Sequence, residues 1–569
     1  MDIPLQMESK IIFDDIGGTE FKRLISNTID DSLDKLSKYV ASAYQKLKKR
    51  KTLEVELRLQ HLGFTEYQRI VNWFNENNSR FTTIEHNRTT DYFDESSYRY
   101  TINEEGKILS IIKKEKIQNV DIKELDVRLS VNLENSYKID PELTIEDVKE
   151  QSSYFRNKNR TSYILEGMIR VDITEVSYEE RRKTKYNYEC EIEFTSISNS
   201  GEIDDTSRKL AKEMVFVLMM NRQNSERIYT QDKLRDMIVS LNNMLGEPPN
   251  REGLSYKFLA PARNLKYPDL VYGGIIGGKV KYNVTQKVDG IRKFFLVYGG
   301  GVWLVYPPND FNLITTFTNS SIPEFMIDGE DVPTSNRSKT CDIKSNHMYI
   351  PFDTVLVSGS NSIQSKPHNI RMEAAVKYLD FMNRILPKDI GISILYKEFK
   401  ELGDTFESMS KAVIDTYFLR DSMCYHTDGM IFTPINANYN TGTEKQKIQD
   451  RVLTRFPDIC KFKEWDKLTI DLYIDVEKKI GYGRGINNEQ TPFIGSFRNS
   501  FDSKINIDWE TEFFKTLTVN GIVEFKPKKD GDIYLLTPLK ARPDKIQSNR
   551  TDYAGAIWDD INDPLDIKT

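Results

Sequence analysis

The sequence is poor in the residues that build disulfide frameworks and histidine metal sites. Four cysteines, Cys190, Cys341, Cys424 and Cys460, are scattered over 569 residues, and no two of them form a C-x-x-C pair. This scatter predicts a reducing compartment and argues against a structural zinc site. The five histidines are also scattered, so a histidine-based metal centre is not expected.

Long apolar runs are missing as well. The densest run, at 214–220, is far shorter than the ~20 residues that a membrane-spanning helix requires. The first ten residues, MDIPLQMESK, do not join a basic region to an apolar one. We therefore expect neither a membrane span nor a secretory signal, and we expect a cytoplasmic location.

Excess positive charge is absent, because the formal net charge is −6 at pH 7. This excludes a protein that coats nucleic acid with a basic surface, so any contact with RNA must be local, in a pocket or tunnel. Hydrophobic residues at 38% and charged residues at 29% are typical of a globular protein. The length of 569 residues predicts two to four domains.

Helical patterns and then strand-like segments occupy the first 245 residues, after a lead-in at 1–30 without clear periodicity. Helices are predicted at 31–49 and at 65–77, the second with a Thr65/Gln68 capping box. Strict alternation predicts a strand at 53–59, LEVELRL. Further strands are predicted at 98–103, 108–117, 125–133, 160–165, 168–176 and 186–194, and helices at 205–220 and 231–245.

Charged side chains alternate along several of these strands. The sets that share a face are Glu54 and Glu56; Glu189, Glu191 and Glu193; Arg156, Lys158 and Arg160; and Arg170 and Asp172. A solvated outer face explains any single strand. Carboxylates two residues apart repel each other, however, and their repetition in two distant strands suggests a bound cation. Oxygen ligands suit Mg²⁺ or Mn²⁺, and a closed barrel lined by both signs could hold a metal-bound polyphosphate.

These strands resemble those of the triphosphate tunnel metalloenzymes. LEVELRL and YECEIEF are similar to the paired glutamate strands of that family, and RNKNRTSYIL is similar to its basic strand. The resemblance implies that Glu54, Glu56, Glu191 and Glu193 hold the metal ion, with Glu189 a further ligand candidate. It also implies that triphosphate is bound by Arg58, Arg156, Lys158, Arg160 and Arg170.

The segment around Lys287 is the most informative part of the second half. Lys287 follows a strand-like run and precedes a tight Asp289-Gly290 turn, which places an amine where it can attack a phosphorus atom. Alone, K-x-D-G is equally well explained by a solvated lysine on a surface turn. Further segments follow in order: IDGE ending at Glu330, FDTVL beginning at Phe352, LYKEF containing Lys397, DGMIF beginning at Asp428, and KFK from Lys461 to Lys463.

In order and spacing, KVDGIR, IDGE, FDTVL, DGMIF and KFK resemble the motifs of the covalent nucleotidyltransferases, the superfamily of mRNA capping guanylyltransferases and polynucleotide ligases. KARPDKIQSN at 540–549 resembles the R-x-D-K…N motif on the OB-fold of capping enzymes, with Ser548 where proline is commoner. The resemblance implies that Lys287 is the catalytic nucleophile. The GTP-binding residues that it implies are Asp289, Arg292, Glu330, Phe352, Lys397, Asp428, Lys461, Lys463, Arg542, Asp544 and Lys545.

The fold class expected from these patterns is α+β multidomain. An antiparallel β-tunnel (triphosphate tunnel) domain is predicted over 1–245 and a linker over 246–253. A nucleotidyltransferase domain is predicted over 254–475 and a C-terminal OB-fold with a tail over 476–569.

The resemblance also implies a mechanism. An amine attacks the α-phosphorus of GTP only when neutral, so burial together with Lys461 and Lys463 is expected to lower the pKa of Lys287. Roles implied for the other residues are ribose contacts from Arg292 and Glu330, stacking of Phe352 on guanine, and placement of a divalent ion by Asp428. Arg542, Asp544 and Lys545 would orient the leaving pyrophosphate when the OB-fold closes.

A triphosphatase followed by a guanylyltransferase looks like the mRNA capping enzymes of large cytoplasmic DNA viruses. The implied substrates are the RNA 5′ triphosphate end and GTP, and the implied location is the host cytoplasm or the virion. No glycine-rich S-adenosylmethionine loop is found, so a cap methyltransferase is expected on another chain or in a C-terminal extension. The alternative is an ATP-dependent polynucleotide ligase that uses the same lysine, and the amino-terminal tunnel argues against it.

Overall fold

In the computed structural model, the chain divides into two compact units, residues 14–239 with 311–315, and residues 240–310 with 316–569. The structure describes the chain between residues 13 and 562 with gaps. Outside the description lie 1–12, 15–18, 46, 48–50, 181–182, 198–201, 226–227, 252, 260, 271–273, 276, 318–321, 340, 359–362, 388–389, 440–458, 465–466, 486–488, 494–505, 518–519, 531–532, 543–544, 546 and 563–569. None of the described helices is long and apolar enough to cross a membrane.

A closed eight-stranded antiparallel barrel dominates the first unit. Its strands are β2 (Lys51–Leu59), β3 (Thr83–Asp94), β4 (Tyr98–Asn103), β5 (Ile108–Ile122), β6 (Val127–Tyr137), β7 (Ser152–Leu165), β8 (Ile169–Glu180) and β9 (Lys183–Phe194), after the two-residue β1 (Phe13–Asp14). The order around the barrel is β2-β6-β5-β4-β3-β7-β8-β9, and β9 pairs back onto β2. The tunnel fold expected from the alternating strands is therefore confirmed.

The hydrophobic core of this unit lies outside the barrel. Helices α1 (Thr19–Gln45), α2 (Phe64–Glu76) and α4 (Asp205–Gln223) bury their apolar faces together with the outward residues of β2, β6, β8 and β9. Val55 and Leu57 on β2 are fully buried there, while Glu54 and Glu56, which alternate with them, face the lumen. The period of two along the strand thus separates a dry outer face from a charged interior. The unit also contains α3 (Ile145–Gln151), and α5 (Gln231–Met244) runs from it into the second unit.

Three local predictions for this unit were wrong. The first helix begins at Thr19, and Asp31 lies inside it, because Phe21, Leu24 and Ile25 already recur at helical spacing before Asp31. The second helix begins at Phe64, where Glu66 accepts a hydrogen bond of 2.8 Å from the backbone N–H of Gly63, so Thr65 and Gln68 form no capping box. Strand β3 was not predicted, since half of it is an exposed polar run without alternation.

The second unit begins with two sheets that carry the Lys287 region. Their strands are β10 (Arg263–Asn264), β11 (Tyr282–Val288), β12 (Ile291–Tyr298), β13 (Gly301–Tyr306), β15 (Phe325–Asp331), β16 (His347–Val357), β17 (Ile392–Ile394), β18 (Lys400–Glu401), β19 (Thr427–Pro434) and β20 (Cys460–Phe462). Between β13 and β15 the chain forms β14 (Asp310–Phe317), whose residues 311–315 belong to the first unit. The helices are α6 (Tyr267–Leu270), α7 (His368–Ile385) and α8 (Phe406–Leu419). One sheet has β13-β12-β15-β16-β17 as successive neighbours, and the other has the order β10-β20-β19-β11-β18.

A third sheet follows where the sequence predicts the OB-fold. Its strands are β21 (Ile470–Asp475), β22 (Ile480–Arg484), β23 (Gln490–Pro492), β24 (Asn506–Ile507), β25 (Gly521–Asp530) and β26 (Ile533–Ala541), in the order β23-β22-β21-β25-β26-β24, with helices α9 (Glu512–Thr516) and α10 (Thr551–Asn562). β21 pairs with β22 and β25. The predicted boundary at 475/476 therefore lies after β21, although β21 belongs to the C-terminal sheet. The sequence pattern of β21 alone does not reveal which strands it pairs with.

Two of the four cysteines are joined. Cys341 and Cys424, 83 residues apart in sequence, form a disulfide with their Cα atoms 4.8 Å apart, whereas Cys190 and Cys460 are buried thiols. The sequence predicts no such bond, because a spacing of this length carries no signal of proximity.

Candidate functional site

The lumen of the barrel is a polar cavity of about 780 Å³. Among the described residues that line it, ten are carboxylates and eight are cations. The ten residues predicted for the tunnel all belong to this lining: Glu54, Glu56, Glu189, Glu191, Glu193, Arg58, Arg156, Lys158, Arg160 and Arg170. Their common orientation follows from barrel closure, which turns the same face of every strand inward.

The glutamates lie on the two strands that close the barrel. Glu56 is paired in register with Glu193, and Arg58 with Glu191. Each carboxylate leans towards a cation, with contacts between Glu191 and Arg58, Glu193 and Arg170, and Glu54 and Lys114. Among the described residues, no three acidic, histidine or cysteine side chains converge at metal-ligand distance.

Burial and the neighbouring charges shift the pKa values of these carboxylates in opposite directions. Burial, followed by the charges of Glu191 and Glu54, raises the pKa of Glu56 to about 8. Burial likewise raises the pKa of Glu193 to about 7. Burial alone would raise the pKa of Glu191, but Arg58 and Arg160 outweigh it and lower that pKa. Negative charge therefore exceeds what the local cations neutralise around Glu56, which is the environment that a divalent cation fits.

The basic strand β7 presents its cations to two aspartates, of which only Asp172 was named from the sequence. Lys158 lies 2.7 Å from Asp91, and Arg160 lies 3.0 Å from Asp172. Asp91 was missed because its strand, β3, lacks alternation. Lys114 was missed because it lies in β5, whose pairing with β6 shifts register between Lys116 and Gln118. Asp91 pairs with two of the three β7 cations, Lys158 and, at 3.5 Å, Arg156.

In the second unit, three adjacent strands bring Lys287 next to Asp428 and Lys463. β19 pairs with both β11 and β20. The Asp428 carboxylate contacts the Lys287 Nζ at 2.7 Å through one oxygen and the Lys463 Nζ at 2.5 Å through the other. Gly429 allows this approach, since its φ is +144° and a Cβ there would overlap the carbonyl oxygen of Phe462.

The charge state of Lys287 differs from the prediction. Burial alone would lower its pKa, but the charge and hydrogen bond of Asp428 outweigh burial, and the pKa is raised. Burial, with Lys287 as the next cause, lowers the pKa of Lys463, and it lowers that of Lys461 to about 8. The expectation that neighbouring lysines lower the pKa of Lys287 is thus wrong, because the Asp428 carboxylate lies 2.7 Å from the Lys287 Nζ and stabilises its charged form.

The predicted base and ribose contacts surround one aromatic ring. The Arg292 guanidinium and the Lys397 ammonium lie 5.4 Å and 5.3 Å from the centre of the Phe352 ring. Burial lowers the pKa of Lys397 to about 8 and raises that of Glu330 to about 7. One oxygen of Glu330 is buried without a hydrogen-bond partner in the described structure, so it can accept a bond from a ligand hydroxyl.

Arg292 is held by residues that were not predicted. Asp328 accepts bonds from it at 2.6 and 3.0 Å, and the Tyr439 hydroxyl donates to Asp328 at 2.6 Å. Asp328 lies inside the IDGE motif, two residues before Glu330, so the motif contained a signal for it. Asp289, predicted to bind GTP, has an exposed side chain, and its backbone N–H donates to the carbonyl of His426 at 2.9 Å.

The C-terminal motif is engaged within its own sheet. Arg542 lies 3.3 Å from Asp471 and 3.1 Å from Glu524, and Lys545 contacts Asp471. Asp544 lies outside the described residues. Arg542 and Lys545 were predicted to bind phosphates, and the structure pairs both with carboxylates that only the fold brings near.

Helix α10 links the C-terminal sheet to the lysine site. The Lys461 Nζ lies 2.8 Å from the Tyr553 hydroxyl, and Asp560 on the same helix contacts Lys266 and Asn264. Lys545 contributes to the lowered pKa of Lys461, after burial and Lys287. Lys545 of the C-terminal motif is therefore within electrostatic reach of Lys461.

Two family models match the chain. The model described as mRNA capping enzyme, beta chain, matches residues 3–231, and the model described as mRNA capping enzyme, catalytic domain, matches residues 278–449. The two matches fall on the barrel and on the sheets around Lys287. Among curated proteins, none matches this chain.

Solved structures similar to the chain include two triphosphatases. The S. pombe Pct1 RNA triphosphatase in complex with the Spt5 CTD is 16% identical, with 40% of this chain and 99% of that chain covered and a TM-score of 0.25. The Mimivirus capping enzyme triphosphatase is 17% identical, with 33% and 97% covered and a TM-score of 0.26.

The geometry of both sites agrees with the family matches. A charged tunnel lies in the range matched by the beta chain, and the lysine constellation lies in the range matched by the catalytic domain. Together the matched ranges cover more than two thirds of the chain. The chain therefore belongs to the mRNA capping enzymes, with an RNA triphosphatase domain followed by an mRNA guanylyltransferase domain.

Proposed function

We propose that the two domains act in sequence, with metal-dependent removal of the RNA γ-phosphate in the tunnel and then transfer of GMP from GTP through a covalent bond to Lys287. The observation that carries the second step is the Asp428 carboxylate, which touches both Lys287 and Lys463. Nucleophile and second cation thus meet at one point, as attack on an anionic phosphorus requires.

In the tunnel, the cations on β7 and β8 would bind the oxygens of the triphosphate. Arg156, Lys158 and Arg160 leave Asp91 and Asp172 for the more highly charged ligand. Water then forms a bond to the γ-phosphorus, and the bond to the β-phosphate oxygen breaks. A divalent ion, Mg²⁺ or Mn²⁺, would be held by Glu54, Glu56, Glu191 and Glu193, and it supplies Lewis-acid polarisation of the γ-phosphate.

The excess of carboxylates in the lumen supports this metal dependence. A triphosphate brings several negative charges into a lining that already has ten carboxylates against eight cations. Binding without a compensating cation would therefore be opposed by repulsion. The charges of Glu191 and Glu54 add to burial in raising the pKa of Glu56, so repulsion between carboxylates is present in this part of the lining.

At the second site, the Lys287 ammonium must lose its proton before it attacks the α-phosphorus of GTP. Formation of the N–P bond releases pyrophosphate, and the diphosphate end of the RNA then attacks the same phosphorus and frees the lysine. Phe352 would stack on guanine, with Arg292 and Glu330 at the ribose. Arg542 and Lys545 would exchange Asp471 for the leaving pyrophosphate as the C-terminal sheet closes.

The adduct itself provides the test. Incubation with radiolabelled GTP and Mg²⁺ should give an acid-labile protein–GMP adduct, and ATP should give none. Lys287→Ala should abolish labelling and leave phosphate release from triphosphate-ended RNA intact, since the two activities occupy different domains.

Lys281→Ala, which removes a partly exposed lysine paired with Asp404, is the matched control and should label normally. Labelling of the Lys287→Ala protein would contradict the assignment of the nucleophile. Labelling by ATP in place of GTP would instead indicate a polynucleotide ligase.

A further inference from the structure

One mouth of the tunnel carries a pair of stacked aromatic rings. Phe93 near the end of β3 and Tyr154 near the start of β7 are paired in register, with ring centres 4.5 Å apart and planes inclined by 3°. Both side chains line the cavity, and among its described lining residues they are the only aromatic ones. Tyr154 is 55% exposed although it belongs to this lining.

The rings lie next to the cations that bind phosphate. Arg156 lies two residues deeper on β7, a step of about 7 Å along the strand, and its guanidinium lies 5.2 Å from the centre of the Phe93 ring. Its ion pairs are long, 3.5 Å to Asp91 and 3.8 Å to Glu189, and its buried Nε has no hydrogen-bond partner in the described structure. A ligand that enters at this mouth meets Tyr154 before it meets the β7 cations Arg156, Lys158 and Arg160.

More rings surround the same end of the barrel. Tyr178 near the end of β8 and Tyr186 near the start of β9 are exposed there, since the end of β8 and the start of β9 lie beside the start of β7. Towards the opposite mouth, at the start of β3 and the end of β7, the described lining residues include the polar or charged Glu85, Asn87 and Ser162. Among the described lining residues, the aromatic rings of Phe93 and Tyr154 therefore occur at one mouth and not at the other.

We propose that Tyr154, backed by Phe93, binds the first nucleobase of an RNA whose 5′ triphosphate enters the tunnel through this mouth. The inference rests on the proposed triphosphatase function and adds the part of the substrate that the tunnel selects. An aromatic ring accepts any base, because every base presents a π-face, so the contact suits transcripts of any sequence. The ordering of rings before cations matches the ordering of base before phosphates in the substrate.

This contact would distinguish a nucleic-acid end from inorganic polyphosphate. Both ligands present the same phosphate chain to Arg156, Lys158 and Arg160, but only the nucleic acid places a base beside Tyr154. Loss of one base–aromatic stack corresponds to about a tenfold loss of affinity, near the lower end of the range for such contacts. The effect should appear in KM for RNA and not in the turnover of tripolyphosphate.

The test compares Tyr154→Ala, Tyr154→Phe and Phe155→Ala as full-length proteins. Phe155 is the matched control because it is the next residue on the strand, is 38% exposed, and packs against Tyr92 at 5.6 Å, away from the cavity lining. Phosphate release is measured with a 5′-triphosphate RNA oligonucleotide, with the same oligonucleotide abasic at its first nucleotide, and with tripolyphosphate.

Tyr154→Ala should raise KM for the RNA about tenfold, and the other two proteins should resemble the unmutated one. With the abasic RNA or tripolyphosphate, Tyr154→Ala should change KM less than about twofold, because no base is present to stack.

An equal loss on all three substrates would overturn the proposal and would show that the ring only supports Arg156. An unchanged KM for the intact RNA, or an equal effect of Phe155→Ala, would overturn it as well. If the unmutated protein released phosphate from none of the substrates, the triphosphatase function itself would fail, and the inference would fail with it.

Discussion

Replacing Glu56 by glutamine should stabilise the metal-free protein while it removes triphosphatase activity. Glu56 is 7% exposed and faces Glu191 and Glu54 across the lumen. Burial and these two charges raise its pKa from 4.5 to about 8. Glutamine preserves the shape of the side chain and removes the charge that the site tolerates poorly.

The size of the effect depends on pH in a defined way. Because the folded-state pKa lies above the unfolded value, the ionised carboxylate opposes folding, and this cost is absent below pH 4.5, grows up to about pH 8 and is then constant. At pH 7 the cost is about 3 kcal/mol, at roughly 1.4 kcal/mol for each pH unit above 4.5. A domain of this size gains roughly 2–4 °C in Tm per kcal/mol, so Glu56→Gln should raise the Tm by roughly 6 °C or more.

The assay is calorimetric unfolding of the full chain between pH 5 and pH 8, in EDTA and in Mn²⁺. In EDTA the difference between variant and unmutated protein should widen as the pH rises. In Mn²⁺ it should shrink, because the metal stabilises the protein that binds it more tightly. Release of γ-phosphate should fall at least ~100-fold, since the variant loses a metal ligand. Glu115→Gln, at an exposed side chain, is the control and should shift stability by less than about 0.5 kcal/mol.

Three results would refute this reasoning. A lower Tm for Glu56→Gln in EDTA at pH 7 would mean that the ionised carboxylate contributes net stability through Lys114 and Arg58. A difference in Tm that did not vary between pH 5 and pH 8 would mean that Glu56 titrates outside this range. Activity close to that of the unmutated protein would remove Glu56 from the metal site.

Three further outcomes are expected. Arg542→Ala should slow formation of the lysine–GMP bond far more than transfer from a preformed adduct, because pyrophosphate leaves only in the first half-reaction; equal losses in separate single-turnover assays would indicate a folding defect. Gly429→Ala should destabilise the second unit by more than about 2 kcal/mol in denaturant unfolding, since the φ of +144° and the Phe462 carbonyl leave no room for a Cβ. Gly521→Ala is the control, because a Cβ at Gly521 meets nothing within 4 Å. Equal effects of the two substitutions would contradict the steric argument. EDTA should stop γ-phosphate release and leave the circular dichroism unchanged; release that continued would contradict the metal requirement.

Alternating charge on the barrel strands was enough to predict the lumen. In β2, β7 and β9 the charged residues recur every second position, and a closed barrel turns such a set to one side. The strand that supplies Asp91 escaped prediction because exposed polar residues on both of its faces remove the period. Lys114 escaped for a different reason, since it lies in a run of charges beside a bulge.

Around Lys287 the motifs predicted which residues meet but not their charge states. Asp428 and Lys463 do lie against Lys287. The direction of the Lys287 pKa could not be predicted, because it depends on whether a carboxylate or a ligand phosphate is nearest to the amine. The pairing of Arg542 with Glu524 and the bond between Cys341 and Cys424 depend on distant parts of the chain that only the fold brings together.

The position of the barrel's core outside the lumen has a consequence for how this domain can change over evolution. Val55, Leu129 and Ile192 pack against helices on the outer surface, and the closed ladder of strands leaves no unpaired edge to protect. Residues that support folding and residues that touch the substrate therefore occupy alternate positions of the same strands. Substitutions in the lumen can accumulate and change the polyphosphate that is accepted, while selection for a folded protein acts on the neighbouring positions.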